Sequence, residues 1–150
     1  DAGGALLGDL RARVLATSDD AILPAARLTD RALGAVADHL GDLLARDPAE
    51  RELLTRRFTR DLAHAVTAAL LVEDAAIQAA SGGGYRCLLQ AARHLRRHVY
   101  PPRWAAPYEA DRAALDAFDA LVDWDPALPA TAAAPLLRAL ESEAADLIGR

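Results

Sequence analysis

Along most of the chain, apolar residues recur at spacings of three and four, the period of a helix with one buried face. Leu6, Leu10 and Val14 mark the first stripe, over about Gly4 to Thr17, and Ser18, Asp19, Asp20 and Pro24 interrupt it. The second, from about Leu28 to Arg46, aligns Leu33, Val36, Leu40, Leu43 and Leu44. Gly34 and Gly41 sit seven apart in it, a spacing that admits a close neighbour. Asp47-Pro48-Ala49-Glu50 is a start signal: Asp47 caps, Pro48 suits the first helical position, and Glu50 completes a capping box. A third helix then runs to Ala80 with Leu54, Phe58, Leu62, Val66, Leu70 and Ile77 as its stripe, and Ser81-Gly82-Gly83-Gly84 ends it.

A fourth helix, Tyr85 to Tyr100, repeats Tyr85, Leu88, Ala92, Leu95 and Val99 before Pro101-Pro102 stops it. The fifth runs from about Pro107 to Trp124 with Leu115, Phe118, Leu121 and Val122 inward. The sixth uses Leu136, Leu140, Ala144 and Leu147. No run of period two has the length of a strand. The pattern predicts an all-α domain over residues 1–150, an antiparallel bundle of about six helices. Phe58, Leu62, Val66, Leu88, Leu95, Phe118 and Leu140 are its expected shared core.

Composition agrees with that architecture. About a quarter of the residues are alanine, and lysine, asparagine and methionine are absent, so every basic side chain other than histidine is arginine. A net charge of −5 and a pI near 5.3 argue against general nucleic-acid or anionic-membrane binding. Cys87, the one cysteine, permits neither an intrachain disulfide nor a cysteine-based zinc site, so a reducing, cytoplasmic setting is expected. Stretches without Asp, Glu or Arg, such as Leu62 to Val72, are too short to span a bilayer. The chain opens at Asp1 without a methionine or a basic leader, as an excised or processed piece of a longer protein would.

Several constellations bear on chemistry. Asp61-x-x-His64 has the spacing of half a di-iron carboxylate motif, but no second copy exists, and the polar edge of a buried helix is the favoured reading. His94 and His98 stand i, i+4 and could hold zinc given a third ligand, yet Arg93, Arg96 and Arg97 around them oppose a dication. Cys87 lies ~10 Å along the helix from His94, too far for a nucleophile–base dyad, and a small buried role is its default. Ser81 to Gly84 could cradle phosphate with its amides, but no strand precedes it and a helix terminator is favoured. Arg86, Arg93, Arg96, Arg97 and Arg103 form the basic region, read as a solvated face or as partners of acidic neighbours rather than a phosphate site. No catalytic, cofactor-binding or metal residue is assigned within the chain.

The stretch LLTRRFTRDLAHAVTAALLVEDA, Leu53 to Ala75, resembles the late C-terminal helical region of acyl-CoA dehydrogenases and oxidases, most closely the alkylation-response branch. GGGYRCLLQAARHLRRHVYPP resembles the basic helix that closes some actinobacterial members, and together the likeness covers about half the chain. A second register sets QAASGGGY, Gln78 to Tyr85, against the family's flavin-contacting Q-x-x-G-G-x-G-Y. Ser81 there replaces a glycine, and Arg97 stands where Asp is expected after Arg93 and Arg96. Tyr108-Glu109-Ala110 departs from the family's catalytic glutamate segment. The first register fits better, and it places no catalytic or flavin residue in this piece.

The resemblance implies a packing and oligomerisation domain of an FAD enzyme that oxidises acyl thioesters. Its partners would be the rest of its own enzyme, a companion chain or further copies of itself. The competing expectation is a non-enzymatic interaction domain, such as the dimerisation and effector half of a regulator.

Overall fold

The computed structural model describes residues 2–101, 112, 115–123 and 128–148, all of them in helices or the turns between, with no strand among them. The helices are α1 (Ala2–Leu15), α2 (Leu23–Ala45), α3 (Pro48–Ala80), α4 (Arg86–His94), α5 (Phe118–Val122) and α6 (Ala134–Ile148). A π-helical segment, Leu95–Val99, prolongs α4, and a 3-10 turn, Ala130–Ala132, precedes α6. α2 packs chiefly on α3, α3 on α4, and α1 lies against α2 and α3.

Local chemistry explains the boundaries. α3 starts at Pro48 because Asp47 Oδ1 accepts from the amides of Ala49 and Glu50 at 2.9 and 3.1 Å. The Glu50 carboxylate meets Arg46 at 3.4 Å. Gly82 and Gly84 adopt φ of 75° and 78°, the left-handed backbone that lets the chain leave α3. α2 begins about five residues before the sequence pattern suggested. Pro24 lies in its first turn, where a missing N–H costs nothing, rather than between helices. The preceding turn is tied down by Asp19, whose carboxylate accepts from the Ala21 amide and from the Tyr85 hydroxyl at 2.8 and 2.9 Å.

The core is built from Leu7, Leu10, Val14, Ile22, Leu28, Leu33, Val36, Leu88, Leu89, Leu95, Leu136, Leu137 and Leu140 around small residues of α3. Three of the seven expected core positions, Leu88, Leu95 and Leu140, are fully buried. Phe58, Leu62 and Val66 are half-buried against that core.

The face of α3 differs from the expected one. Its buried side is Ala65, Ala68, Ala69, Val72 and Ala75, while Leu70 and Ile77 are 46% and 61% exposed. The cause is geometric: each four-residue step advances about 40° beyond a full helical turn, so Leu54, Phe58, Leu62, Val66 and Leu70 wind around the helix. α1 shows a milder form, with Leu7 rather than Leu6 facing inward.

Leu115, Phe118 and Val122, expected inward, are exposed. A turn at Ala117 breaks that stretch, and Ala117 is buried in their stead, with Leu121 half-buried. The rest of the expected fifth helix, and the side chain of Leu147, lie outside the described residues. Leu44 is likewise exposed near the end of α2. Gly34 faces the guanidinium of Arg11, which grips Asp30 at 2.7 and 3.2 Å, and Gly41 faces open space, so neither glycine seats a helix backbone.

α3 is about 50 Å long at 1.5 Å per residue. Among the described residues it alone is long and apolar enough to cross a bilayer by length and composition. Its alanine face, however, packs against α2 and α4.

These burials predict unequal responses to truncation. Leu95→Ala should cost ~2–5 kcal/mol by urea denaturation, because it opens a cavity in a fully buried site. Phe118→Ala should cost less than about 1 kcal/mol, since half the ring already faces water.

Candidate functional site

All four histidines of the chain gather where the end of the fourth helix meets the middle of α3 and the later part of α2. α4 runs back along α3: Gln78 Oε1 accepts from the Cys87 amide at 3.0 Å, and further on His94 Nε2 lies 3.1 Å from the His64 carbonyl oxygen. That direction delivers His94 and His98, one turn apart, to His64. The ring centroids are 4.4 Å apart for His64 and His98, 4.8 Å for His94 and His98, and 5.4 Å for His64 and His94. His64 and His98 are stacked, with 13° between ring planes.

The π segment makes this arrangement possible. Tyr100 donates its amide to the Leu95 carbonyl at 2.7 Å, a bond spanning five residues that widens the helix where His98 sits. Tyr100 then anchors the end by donating its hydroxyl to the Leu28 carbonyl at 2.8 Å.

Desolvation lowers the pKa of His94, which is half-buried, and more slightly that of His98, whose side chain stays exposed to water. Repulsion from His64 adds to this in both; His98 also feels His94 and Arg97, while the His94 contact to the His64 carbonyl works the other way. The unprotonated rings are therefore the favoured form near neutral pH.

One cleft adjoins the trio, and a second lies beside it. One, of about 190 Å³, is bordered by Arg31, His39, Asp61, His64, His98 and Tyr100 over an apolar floor that includes Val36 and Ala65. The other, of about 250 Å³, lies between the end of α2 and the start of α3, with Leu43, Leu54 and Phe58 beneath His39, Asp42, Arg46, Arg57 and Asp61. His39 and Asp61 belong to both. Asp61 is engaged by Arg57 and Arg60 at 3.7 and 3.3 Å.

The sequence paired His94 with His98 but left the third histidine unplaced; it is His64 of the Asp61-x-x-His64 pair. Among the described residues, no group of three or more His, Cys, Asp or Glu side chains is placed to hold a metal ion. The two clefts are smaller than the roughly 300–1,000 Å³ of typical ligand pockets, so neither accommodates a dinucleotide such as FAD.

The other sequence candidates resolve in bland directions. Ser81, Gly82 and Gly83 donate their amides to the carbonyls of Ile77, Ala79 and Gln78, and Tyr85 donates to Leu128, so the turn has few amides left for a phosphate. Cys87 is half-buried, and burial, with Asp74 nearby, pushes its thiol above the ordinary value despite Arg86. Of the basic region, Arg86 and Arg96 are buried at 3% and 4% exposure and neither is free of partners, whereas Arg93 and Arg97 are exposed. Arg103 and the Tyr108-Glu109-Ala110 segment lie outside the described residues. Gln78, the flavin-side glutamine of the second register, directs its side chain to the Cys87 amide instead.

Compared with protein-family models, curated proteins and solved structures, the chain has no match.

The thiol environment predicts low reactivity. Iodoacetamide should modify Cys87 more slowly at pH 7.5 than it modifies an unstructured cysteine peptide, with urea unfolding restoring the peptide rate. Equal rates in the folded state would contradict the burial described.

Proposed function

We propose that this chain is a catalytically silent packing and oligomerisation domain of an acyl-CoA dehydrogenase-like FAD flavoprotein, a cytoplasmic antiparallel bundle of about six helices. The observation that carries the reading is the outward edge of α3. The stretch Leu53 to Ala75 that resembles that family turns its alanines inward and leaves larger apolar residues outward. Leu53 is 81% exposed, and Leu70 is followed two turns later by Ile77 on the same side, with half-buried Val66 one turn before it. An apolar edge of this kind is what a docking helix presents to a larger body.

The chemistry of the described residues supports the silent part. Cys87 has a thiol pKa raised by burial and by Asp74, and dehydrogenation requires both a preorganised flavin pocket and a carboxylate at the substrate α-carbon. Under this reading flavin and the catalytic base belong to other parts of the enzyme, and no reaction step is assigned to this chain. A second reading, the effector and dimerisation half of a regulator, is favoured by the two adjoining clefts at His39 and Asp61, which suit a small ligand better than a dinucleotide.

The isolated 150 residues should show no flavin absorbance and no acyl-CoA oxidation, while co-expression with the remainder of its enzyme should yield a yellow complex active in both assays. Leu70→Glu with Ile77→Glu should abolish that co-purification and leave the circular dichroism of the isolated chain unchanged. Stoichiometric FAD on the isolated chain would overturn the reading and point to Gln78, Gly83 and Glu109. A parent protein without flavin would remove the family assignment and leave the regulator reading.

A further inference from the structure

The histidine trio sits on the seam between α3 and the last turns of the fourth helix, and the docking edge proposed above does not include it. We propose that it is a proton-operated latch: unprotonated, the three packed rings hold Leu95 to Tyr100 against α2 and α3, and protonation drives that segment off while the start of α4 stays in place.

The geometry carries the proposal. His64 and His98 stack at 4.4 Å with His94 beside both, so a charge on one ring is felt directly by the other two. Two imidazolium rings cannot keep that stack without strong repulsion. Protonation of His94 and of His98 is therefore coupled, each charge disfavouring the other.

The surroundings offer little compensation. α2 contributes Arg31 and His39; α3 contributes Asp61, already engaged by Arg57 and Arg60; the fourth helix contributes Arg93, Arg96 and Arg97, with Tyr100 bound to Leu28. From α6, which also touches the π segment, the described charged residues Arg138 and Glu141 are exposed.

The two ends of the fourth helix are held differently. Its start is fixed by the bond from Tyr85 to Asp19, the Tyr85 amide on Leu128 and the Cys87 amide on Gln78. Beyond Leu95, Tyr100 bonds the Leu28 carbonyl, the buried Arg96 also has a partner, and one residue before the π segment His94 lies on the His64 carbonyl. The π segment has wider and less regular hydrogen bonding than an α-helix and is the natural place to give way.

The sign follows from the depressed values of His94 and His98. The packed state disfavours their protonation, whereas freed rings titrate near the ordinary 6.5. The open state therefore takes up protons first as pH falls. The latch is fully closed above that value and weakens below it, until the packed rings themselves are protonated.

The test is amide hydrogen exchange on the full chain between pH 7.5 and 5.5, corrected for intrinsic rates, with parallel NMR titration of the histidine rings. Below the ordinary histidine value, protection at residues 95–100 should fall relative to residues 88–92 by up to about tenfold per pH unit for each ring that must charge. His98→Gln and His64→Gln should each reduce this pH dependence, and His39→Gln should leave it intact. Protection at 95–100 that tracks the rest of the helix across the range would overturn the proposal, as would a pH dependence undiminished in both His98→Gln and His64→Gln. Should the variants fail to fold at pH 7.5, the native titration decides: His94 and His98 midpoints at or above 6.5 refute the latch, and depressed midpoints coincident with the loss of protection uphold it.

Discussion

Close approach to one alanine face of α3 is the constraint on which the rest of the structure depends. Ala65, Ala68, Ala69 and Ala75, with Val72 among them, leave so little side chain between backbones that α2 and α4 settle directly against the helix. Alanine methyls bury little area each. The cohesive contacts therefore come from the larger residues of the neighbours, Leu33 and Val36 on one side and Leu88, Leu89 and Leu95 on the other. The same face leads into the histidine seam. His64 immediately precedes Ala65, and its ring stacks on that of His98 from the fourth helix.

Long-range ties between elements are few and polar. Arg13 pairs with Glu73, joining α1 to α3, and Arg11 holds Asp30 on α2. These are partly exposed pairs of modest individual worth, and they orient α1 more than they stabilise it. Asp19 is more consequential, because one carboxylate both closes the α1–α2 turn and receives Tyr85 from the start of α4.

Helix punctuation was legible in the sequence wherever local chemistry decides it. Asp47-Pro48, the Ser81 to Gly84 run and Pro101 end or begin helices through bonds made within a few residues. Which face of α3 turns inward was not legible, since a four-residue run of leucines and aromatics reads as one stripe only if its winding about the axis is ignored. Small residues carry weak hydropathy signals even when they form the packing face. The histidine site was half visible: the i, i+4 pair stands out, but its third member depends on how two helices align, which no local pattern specifies. The burial of Arg86 and Arg96 was hidden for the same reason, because charge alone predicts a solvated face.

The π segment has a consequence for how this region tolerates change in length. A π turn is an α-helix that accommodates one residue beyond its normal repeat. Removing a single residue between Leu95 and Val99 would let the turn relax to the α form with the Tyr100 end scarcely displaced. The surplus residue is absorbed within the turn, so positions beyond it keep their facing when it is lost. The same loss in the middle of α3 would rotate everything beyond it by about 100°. Segment 95–99 is thus the one described stretch of helix that can shorten by a residue without turning its far end away from α2.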